Sequence, residues 1–178
     1  MIAIDTETTG LLHPSAADLH LQPYIIEIYA CKFDKDFNFQ GELYTRIRAP
    51  IPVPPKITEI TGIDDSMLIG APSFVQCYDR LCEFFRGEHT VFAHNCSFDM
   101  GMLRLELQRY GWEYKFPWPK NQICTVEASY PIKNRRMNLK ELHFMATGKE
   151  EIAGAHRARN DVGALVKCIM WLYKEGFL

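Results

Sequence analysis

Residues 1–10 read MIAIDTETTG. An apolar run at the start of the chain is broken by two acids, Asp5 and Glu7, spaced two apart. Side chains alternate across a strand with period two, so Ile2 and Ile4 share one face while Ala3, Asp5 and Glu7 share the other. The acids fall at the C-terminal end of the strand, the edge where open α/β sheets bind ligands. Two carboxylates this close raise one another's pKa unless a cation lies between them. Taken alone, the pair also fits an exposed strand end with two solvated acids.

Working outward, "YIIEIYACKFD" (24–34) and "GELYTRIR" (41–48) read as strands, paired as a hairpin through "KDFNFQ". "APIPVPP" (49–55) excludes a regular helix or a central strand. "SFVQCYDRLCEFF" (73–85) has helical apolar spacing, and "TVFAHN" (90–95) is a short buried strand. "SFDMGMLRLELQRYG" (97–111) is a helix with Ser97 as the expected N-cap and Gly111 as its stop. "QICTV" (122–126) is a short strand, and "NLKELHFMATG" (138–148) a helix opened by an Asn138/Glu141 capping box. A last helix runs over about 159–174 with Val162, Leu165, Ile169 and Leu172 as its core stripe. Three strands followed by alternating strands and helices predict an α/β fold. Its mixed sheet is antiparallel first and parallel after, covered by helices.

The 178 residues fit one domain, 1–178. With 47% hydrophobic and 24% charged residues, the composition is that of a soluble globular protein. No apolar run is long enough to span a membrane, and the opening lacks the basic region of a signal peptide. A cytoplasmic location and no membrane partner are therefore expected. The net charge of −2 lacks the overall basic character of many nucleic-acid binders. Cys31, Cys77, Cys82, Cys96, Cys124 and Cys168 form no CxxC pair and read as reduced, buried thiols rather than a zinc site.

Two further segments bear on the acids. "HNCSFD" (94–99) sets Asp99 just past a central strand, in the first turn of a helix. "HRARND" (156–161) sets His156 on a loop ahead of the last helix and Asp161 in an early turn. Each alone also reads as an ordinary first-turn acid or a surface histidine. Together they point to one sheet edge, where Asp5, Glu7, Asp99 and Asp161 form a carboxylate cluster. Hard oxygen ligands suit Mg²⁺ or Mn²⁺ rather than zinc. Two such ions ~3.5–4 Å apart would clamp a phosphodiester for in-line attack by water, and would supply the positive charge the chain lacks.

These segments resemble the DEDD superfamily of 3′→5′ exonucleases, in its subgroup with a catalytic histidine. The type member of that subgroup is the proofreading subunit of bacterial replicative DNA polymerase. "IDTETTG", "HNCSFD" and "HRARND" match its three motifs in order, and "EITGIDDSML" (59–68) matches its linking segment. The resemblance implies a ribonuclease H-like, five-stranded mixed sheet flanked by helices, with two divalent ions. It implies Asp5, Glu7, Asp99 and Asp161 as metal ligands and His156 as general base. It also implies Thr6 and Thr8 as contacts to the terminal nucleotide. Three departures stand out: the long loop "LLHPSAADLHLQP" (11–23), Asn160 where an acid is frequent, and Tyr29 where glycine is frequent. The chain opens on the first strand and closes after the last helix, so no fused polymerase domain or polymerase-binding tail is expected. A DNA polymerase or replication complex remains a possible partner.

"IKNRRMNLK" (132–140) carries Arg135 and Arg136 among four basic residues, which fit either a solvated loop or contacts to a nucleic-acid backbone. Phe98 neighbours the active edge and fits either a core position or a substrate contact. The four aromatics of "GWEYKFPWP" (111–119) read chiefly as core, with room for one or two to stack on bases. His94 and His143 read as structural. The expected activity is removal of nucleoside monophosphates from the 3′ end of DNA, single-stranded by preference. RNA trimming is the alternative within the family, since no secure reader of the 2′-OH is visible. A catalytically idle nucleic-acid-binding module is disfavoured because no acid of the set is missing.

Overall fold

The computed structural model describes residues 1–13, 18–152 and 157–178. His156 and residues 14–17 of the long loop lie outside the described residues. The chain opens with β1 (Ile2–Thr8), β2 (Ile25–Phe33) and β3 (Phe39–Arg46). Short helices α1 (Pro55–Thr61) and α2 (Asp65–Leu68) lead to α3 (Phe74–Phe85). Next come β4 (Thr90–Ala93), α4 (Cys96–Arg109), β5 (Asn121–Cys124), α5 (Thr125–Ala128) and α6 (Tyr130–Lys133). The chain closes with α7 (Leu139–Thr147) and α8 (Ala158–Lys174).

The strands form one five-stranded sheet in the order β3-β2-β1-β4-β5. The first three pair antiparallel, and β4 and β5 run parallel to β1, as the element order predicts. The hairpin between β2 and β3 turns at residues 34–38. There the Asp34 carboxylate accepts from the amides of Asp36 and Asn38, both at 2.9 Å. The strand after it starts at Phe39, two residues earlier than the sequence pattern suggested. The proline-rich segment carries no helix until Pro55, which opens α1 where its missing N–H costs nothing.

The period-two reading of β1 decides the layers. Ile2 and Ile4 are fully buried with Ile28, Ala30 and Leu43 against α3 and α4, through Phe74, Leu81, Phe85, Met100 and Leu103. Ala3, Tyr29, Cys31 and Phe92 pack on the opposite face against Ala158, Val162, Leu165 and Ile169 of α8. Each fully buried Ile, Leu, Val, Phe or Met among them contributes roughly 1.5–3 kcal/mol; no such gain attends a buried acid. The face that carries Asp5 and Glu7 is therefore the face that α8 covers. Helix α7 leans on α8 through Leu142, Cys168 and Leu172.

Local signals are borne out unevenly. The capping box of Asn138 and Glu141 is present, and Gly148 ends α7 in the left-handed region (φ 71°). The N-cap of α4 is Asn95 rather than Ser97. The chain must reverse abruptly between β4 and α4, and Asn95 takes a left-handed conformation (φ 74°) that Asn tolerates better than most residues. "QICTV" divides, with Asn121–Cys124 in the strand and Thr125 opening α5. All six cysteines are free and buried. Trp112, Phe116 and Trp118 join the core, whereas Tyr114 is 95% exposed. Among the described residues no helix is long and apolar enough to cross a membrane.

Candidate active site

The edge of the sheet is uneven, and that unevenness builds the site. β1 pairs with β4 only through Ile2 and Ala3, because β4 ends at Ala93. The rest of β1 runs past its parallel neighbour, and the first turn of α4 fills the gap. The Thr6 amide donates to Asp99 Oδ1 (3.0 Å), and the Thr6 hydroxyl donates to the same oxygen (2.8 Å). Asp99 thus continues the role of a sheet partner, at 2% exposure. On the other face, the first turn of α8 carries Asp161. Carboxylate oxygens of Asp5, Glu7 and Asp161 lie within 4.8 Å of one another.

The electrostatics follow from this crowding. Withdrawal from water pushes the Asp5 carboxyl well up, and Asp99, Glu7, Asp161 and Glu27 each add to the rise. Glu7 is pushed up to about 7, first by burial and then by Asp161, Glu27 and Asp99, although Arg157 pulls it down. Burial lifts Asp99 to about 7 against the two bonds from Thr6. Burial first, and then the crowding of like charges, raises Asp5 and Glu7. Three converging oxygen donors fit a divalent cation in donor type.

Beside the cluster opens a cavity of about 630 Å³, lined by Asp5, Asp161, His94, Asn138, Lys140 and Glu151 among others. His94 is structural, as expected. Its ring nitrogens bond Thr125 Oγ1 (3.0 Å) and the Met137 carbonyl (3.1 Å), and burial lowers its pKa to about 4. It ties the end of β4 to α5 and to the segment before α7, and so forms a neutral wall. The segment "EITGIDDSML" reaches the same edge: Arg157 donates to the Gly62 carbonyl (3.2 Å). Gly62 is left-handed (φ 66°), and a Cβ there would lie 3.3 Å from the Arg157 guanidinium.

The expected substrate contacts are distributed less evenly. The Thr6 hydroxyl is engaged by Asp99, and that of Thr8 donates to the Gly10 carbonyl (2.6 Å). Phe98 is half-buried and packs on the core from the first turn of α4. Arg135 is held in an ion pair by Glu141. Arg136 donates to Asn95 Oδ1 (3.0 Å), which brings it to the mouth of α4 four residues from Asp99. His156 lies outside the described residues. Sequence reasoning missed one residue near the site and left another undistinguished from its neighbours. Lys140, grouped with the other basic residues, lines the cavity itself. Glu27, an acid inside an apolar strand, is 2% exposed behind Glu7. An acid interrupting an apolar run is the same anomaly that made Asp5 conspicuous.

A mixed five-stranded sheet with helices on both faces and a carboxylate cluster at its C-terminal edge is an arrangement of the ribonuclease H-like fold class. The model of the exonuclease family matches residues 2–169, and the chain belongs to that family. Among curated relatives, a PolC-type DNA polymerase III of Halalkalibacterium halodurans is 36% identical over 98% of this chain and 11% of its own length. One from Bacillus cereus is 31% identical over 99% of this chain and 12% of its own. The chain thus spans about a tenth of these relatives. Among solved structures, E. coli exonuclease I bound to a dT13 oligonucleotide superposes with a TM-score of 0.73 at 21% identity, covering 97% of this chain and 40% of that one. Exonuclease X in complex with 5′-overhanging duplex DNA gives 0.67 at 19% identity, covering 98% and 91%. The fold is that of these exonucleases.

Proposed function

We propose that residues 1–178 form a single exonuclease domain that removes nucleoside monophosphates from the 3′ end of DNA with the help of two divalent ions, Mg²⁺ or Mn²⁺. The observation that carries this reading is the convergence of Asp5, Glu7 and Asp161 within 4.8 Å, with Asp99 held behind them by Thr6. These four acids would hold the ions, which when bound supply the positive charge that steadies the phosphodiester under in-line attack by water.

The rest of the work falls to the chain. His156 takes the proton of the attacking water, the part its motif gives it in the family. Thr6 fixes Asp99 through two bonds to one oxygen, so that the carboxylate stays aimed while the strand end bears the terminal nucleotide. Thr8, whose hydroxyl donates to the Gly10 carbonyl, and Phe98, in the first turn of α4, would supply the remaining contacts to that nucleotide. Lys140, on the cavity wall, and Arg136, at the mouth of α4, meet backbone phosphates of the incoming strand. Arg135 has less charge to offer, because Glu141 already neutralises it. DNA is favoured by two lines of support. The two relatives named above are PolC-type DNA polymerases, and the superposed exonuclease I binds a deoxythymidine oligonucleotide. The polymerase relatives also support work alongside a replicative polymerase.

The test is cleavage of 3′- and 5′-labelled single strands of matched DNA and RNA sequence, in Mg²⁺, in Mn²⁺ and in EDTA. Stepwise mononucleotide release from the 3′ end, lost in EDTA, is the expected result. Full activity in chelator would end the two-ion reading, and faster trimming of RNA would reassign the substrate.

A further inference from the structure

Glu27 lies on β2 directly across from Glu7 in the strand register, and it is 2% exposed. Like charges opposite one another destabilise a strand pair, and a buried carboxylate is costly unless donors meet it. Glu27 draws donors from two other elements. On β3, the Tyr44 hydroxyl donates to Oε1 (3.0 Å) and Arg46 Nε approaches the same oxygen (3.5 Å). From the start of α8, the Ala158 amide donates to Oε2 (3.3 Å).

The last of these bonds is the informative one. Arg157 stands at the N-cap of α8, and its side chain makes no cap bond. A helix start leaves its first amides without partners, and they need an acceptor from elsewhere. The sheet supplies one through Glu27. Ala158 is itself fully buried against the β1–β2 face. The first turn of α8 is thereby pinned to β2 at one residue, and Asp161 follows three residues later in that turn. β2 in turn is hydrogen-bonded to β1, where Asp5 and Glu7 stand.

We infer that Glu27 is a positioning residue, which caps α8 from the sheet and sets its first turn so that Asp161 meets Asp5 and Glu7. It acts through Asp161 and touches neither ion nor substrate. The inference rests on the reading of those three acids as metal ligands.

The test compares wild type, Glu27→Ala and Glu27→Gln on the whole chain by calorimetric titration with Mn²⁺, alongside thermal unfolding in EDTA and the KM and kcat of cleavage. The amide oxygen of Gln still accepts from the Ala158 N–H, and Ala removes the acceptor. Glu27→Ala is expected to weaken Mn²⁺ binding by about 10–100-fold, the range typical of outer-sphere partners, while Glu27→Gln stays within about threefold of wild type. The loss is expected in metal affinity and kcat, with KM for the oligonucleotide at saturating metal nearly unchanged. Should Glu27→Ala fail to fold, Glu27→Met, which fills the space without an acceptor, is read in its place. Equal Mn²⁺ affinity in wild type and the Ala or Met variant overturns the inference. So does a loss in Glu27→Gln as large as in Glu27→Ala, which would make Glu27 a ligand or a charge. A wild type that binds no Mn²⁺ is a different failure: it removes the metal reading itself and this inference with it.

Discussion

The molecule buries acids in two places and treats them in opposite ways. On α4, Glu106 is 2% exposed and meets Arg109, with Nη1 and Oε2 at 3.0 Å. The approach is ionic rather than a well-aligned hydrogen bond. The other oxygen of Glu106 accepts from the Ile25 amide (2.9 Å). Arg109 also donates to the carbonyls of Leu19, Gln22 and Pro23 and stacks on Tyr24 at 3.8 Å. This pair clamps the end of the long loop and the start of β2 to α4. Burial still raises Glu106, and Arg109 opposes the rise. At the sheet edge, Asp5 has burial and four acids all pushing it upward. One site carries its own cation and does structural work. The other gathers acids that raise one another's pKa.

The sharpest way to break the comparison is to remove acids from the second site. Asp5→Ala, Glu7→Ala, Asp99→Ala and Asp161→Ala are each expected to lower cleavage by ~10⁴-fold or more, if several kcal/mol of charge stabilisation is lost. Without metal, Asp5→Ala, Glu7→Ala and Asp161→Ala should melt no lower than wild type, and higher where repulsion is relieved, whereas Asp99→Ala strands the Thr6 amide and should melt lower. A variant near the wild-type rate is not part of the site. His156→Ala should cost on the order of 10²–10⁴ in single-turnover rate while Mn²⁺ affinity is kept. The rise of rate with pH, set in wild type by the imidazole, should shift upward or vanish. Retention of the wild-type pH limb would exclude His156 as the base.

The first site should respond in stability instead. Arg109→Met leaves Glu106 buried without its cation, a change that costs about 3–5 kcal/mol when a buried pair is broken from one side. Urea unfolding should show that loss, and cleavage per folded molecule should remain within a few-fold of wild type. A stable Arg109→Met protein would mean that the clamp does not depend on the ion pair.

Acidity separates the two treatments more gently. Glu7 and Asp99 hold native pKa values of about 7, against about 4 in an unfolded chain, and Asp5 is raised as well. Between about pH 4 and about pH 7 the native state therefore binds more protons than the unfolded state, and stability falls as pH rises through that window. His94, lowered to about 4, works the other way from about pH 4 to 6.5, as one group against three. In EDTA the Tm should decline from about pH 5 to about pH 8. Added Mg²⁺ should raise it most at the alkaline end, where the acids are ionised. Superimposable Tm–pH curves with and without Mg²⁺ would show that the cluster takes no cation.

The smallest effect concerns the basic residues. Lys140→Ala should weaken binding of long oligonucleotides a few-fold and reduce the slope of log K against log salt by roughly 1. Arg135→Ala should change that slope less, because its charge is already met by Glu141. The reverse order would return the phosphate contact to Arg135.

Much of this was legible along the chain because the signals are local. The alternation of β1 told which residues share a face, and the Asn138/Glu141 box and Gly148 marked both ends of α7. The misplaced cap at Ser97 shows where local rules stop. Asn95 takes the cap because β4 ends abruptly against α4, a constraint set by the neighbouring strand. The short helices α5 and α6 lack the length for a periodic pattern. Arg135 and Arg136 look alike in sequence, yet one faces Glu141 and the other Asn95.

By itself, then, the sequence determined the kinds of element, their order, and the acids at Asp5, Glu7, Asp99 and Asp161, since these depend on side-chain period and residue chemistry over a few positions. The tertiary structure alone decided the distances. It set β1 beside a shorter β4, so that Asp99 reaches Thr6. It laid α8 on the face of Asp5 and Glu7, so that Asp161 comes within 4.8 Å. It also turned Glu27 from one more residue of an apolar strand into the acceptor for the Ala158 amide, 131 residues further along the chain. Contacts over such separations are set by how the sheet and helices pack, and no window along the chain contains both partners.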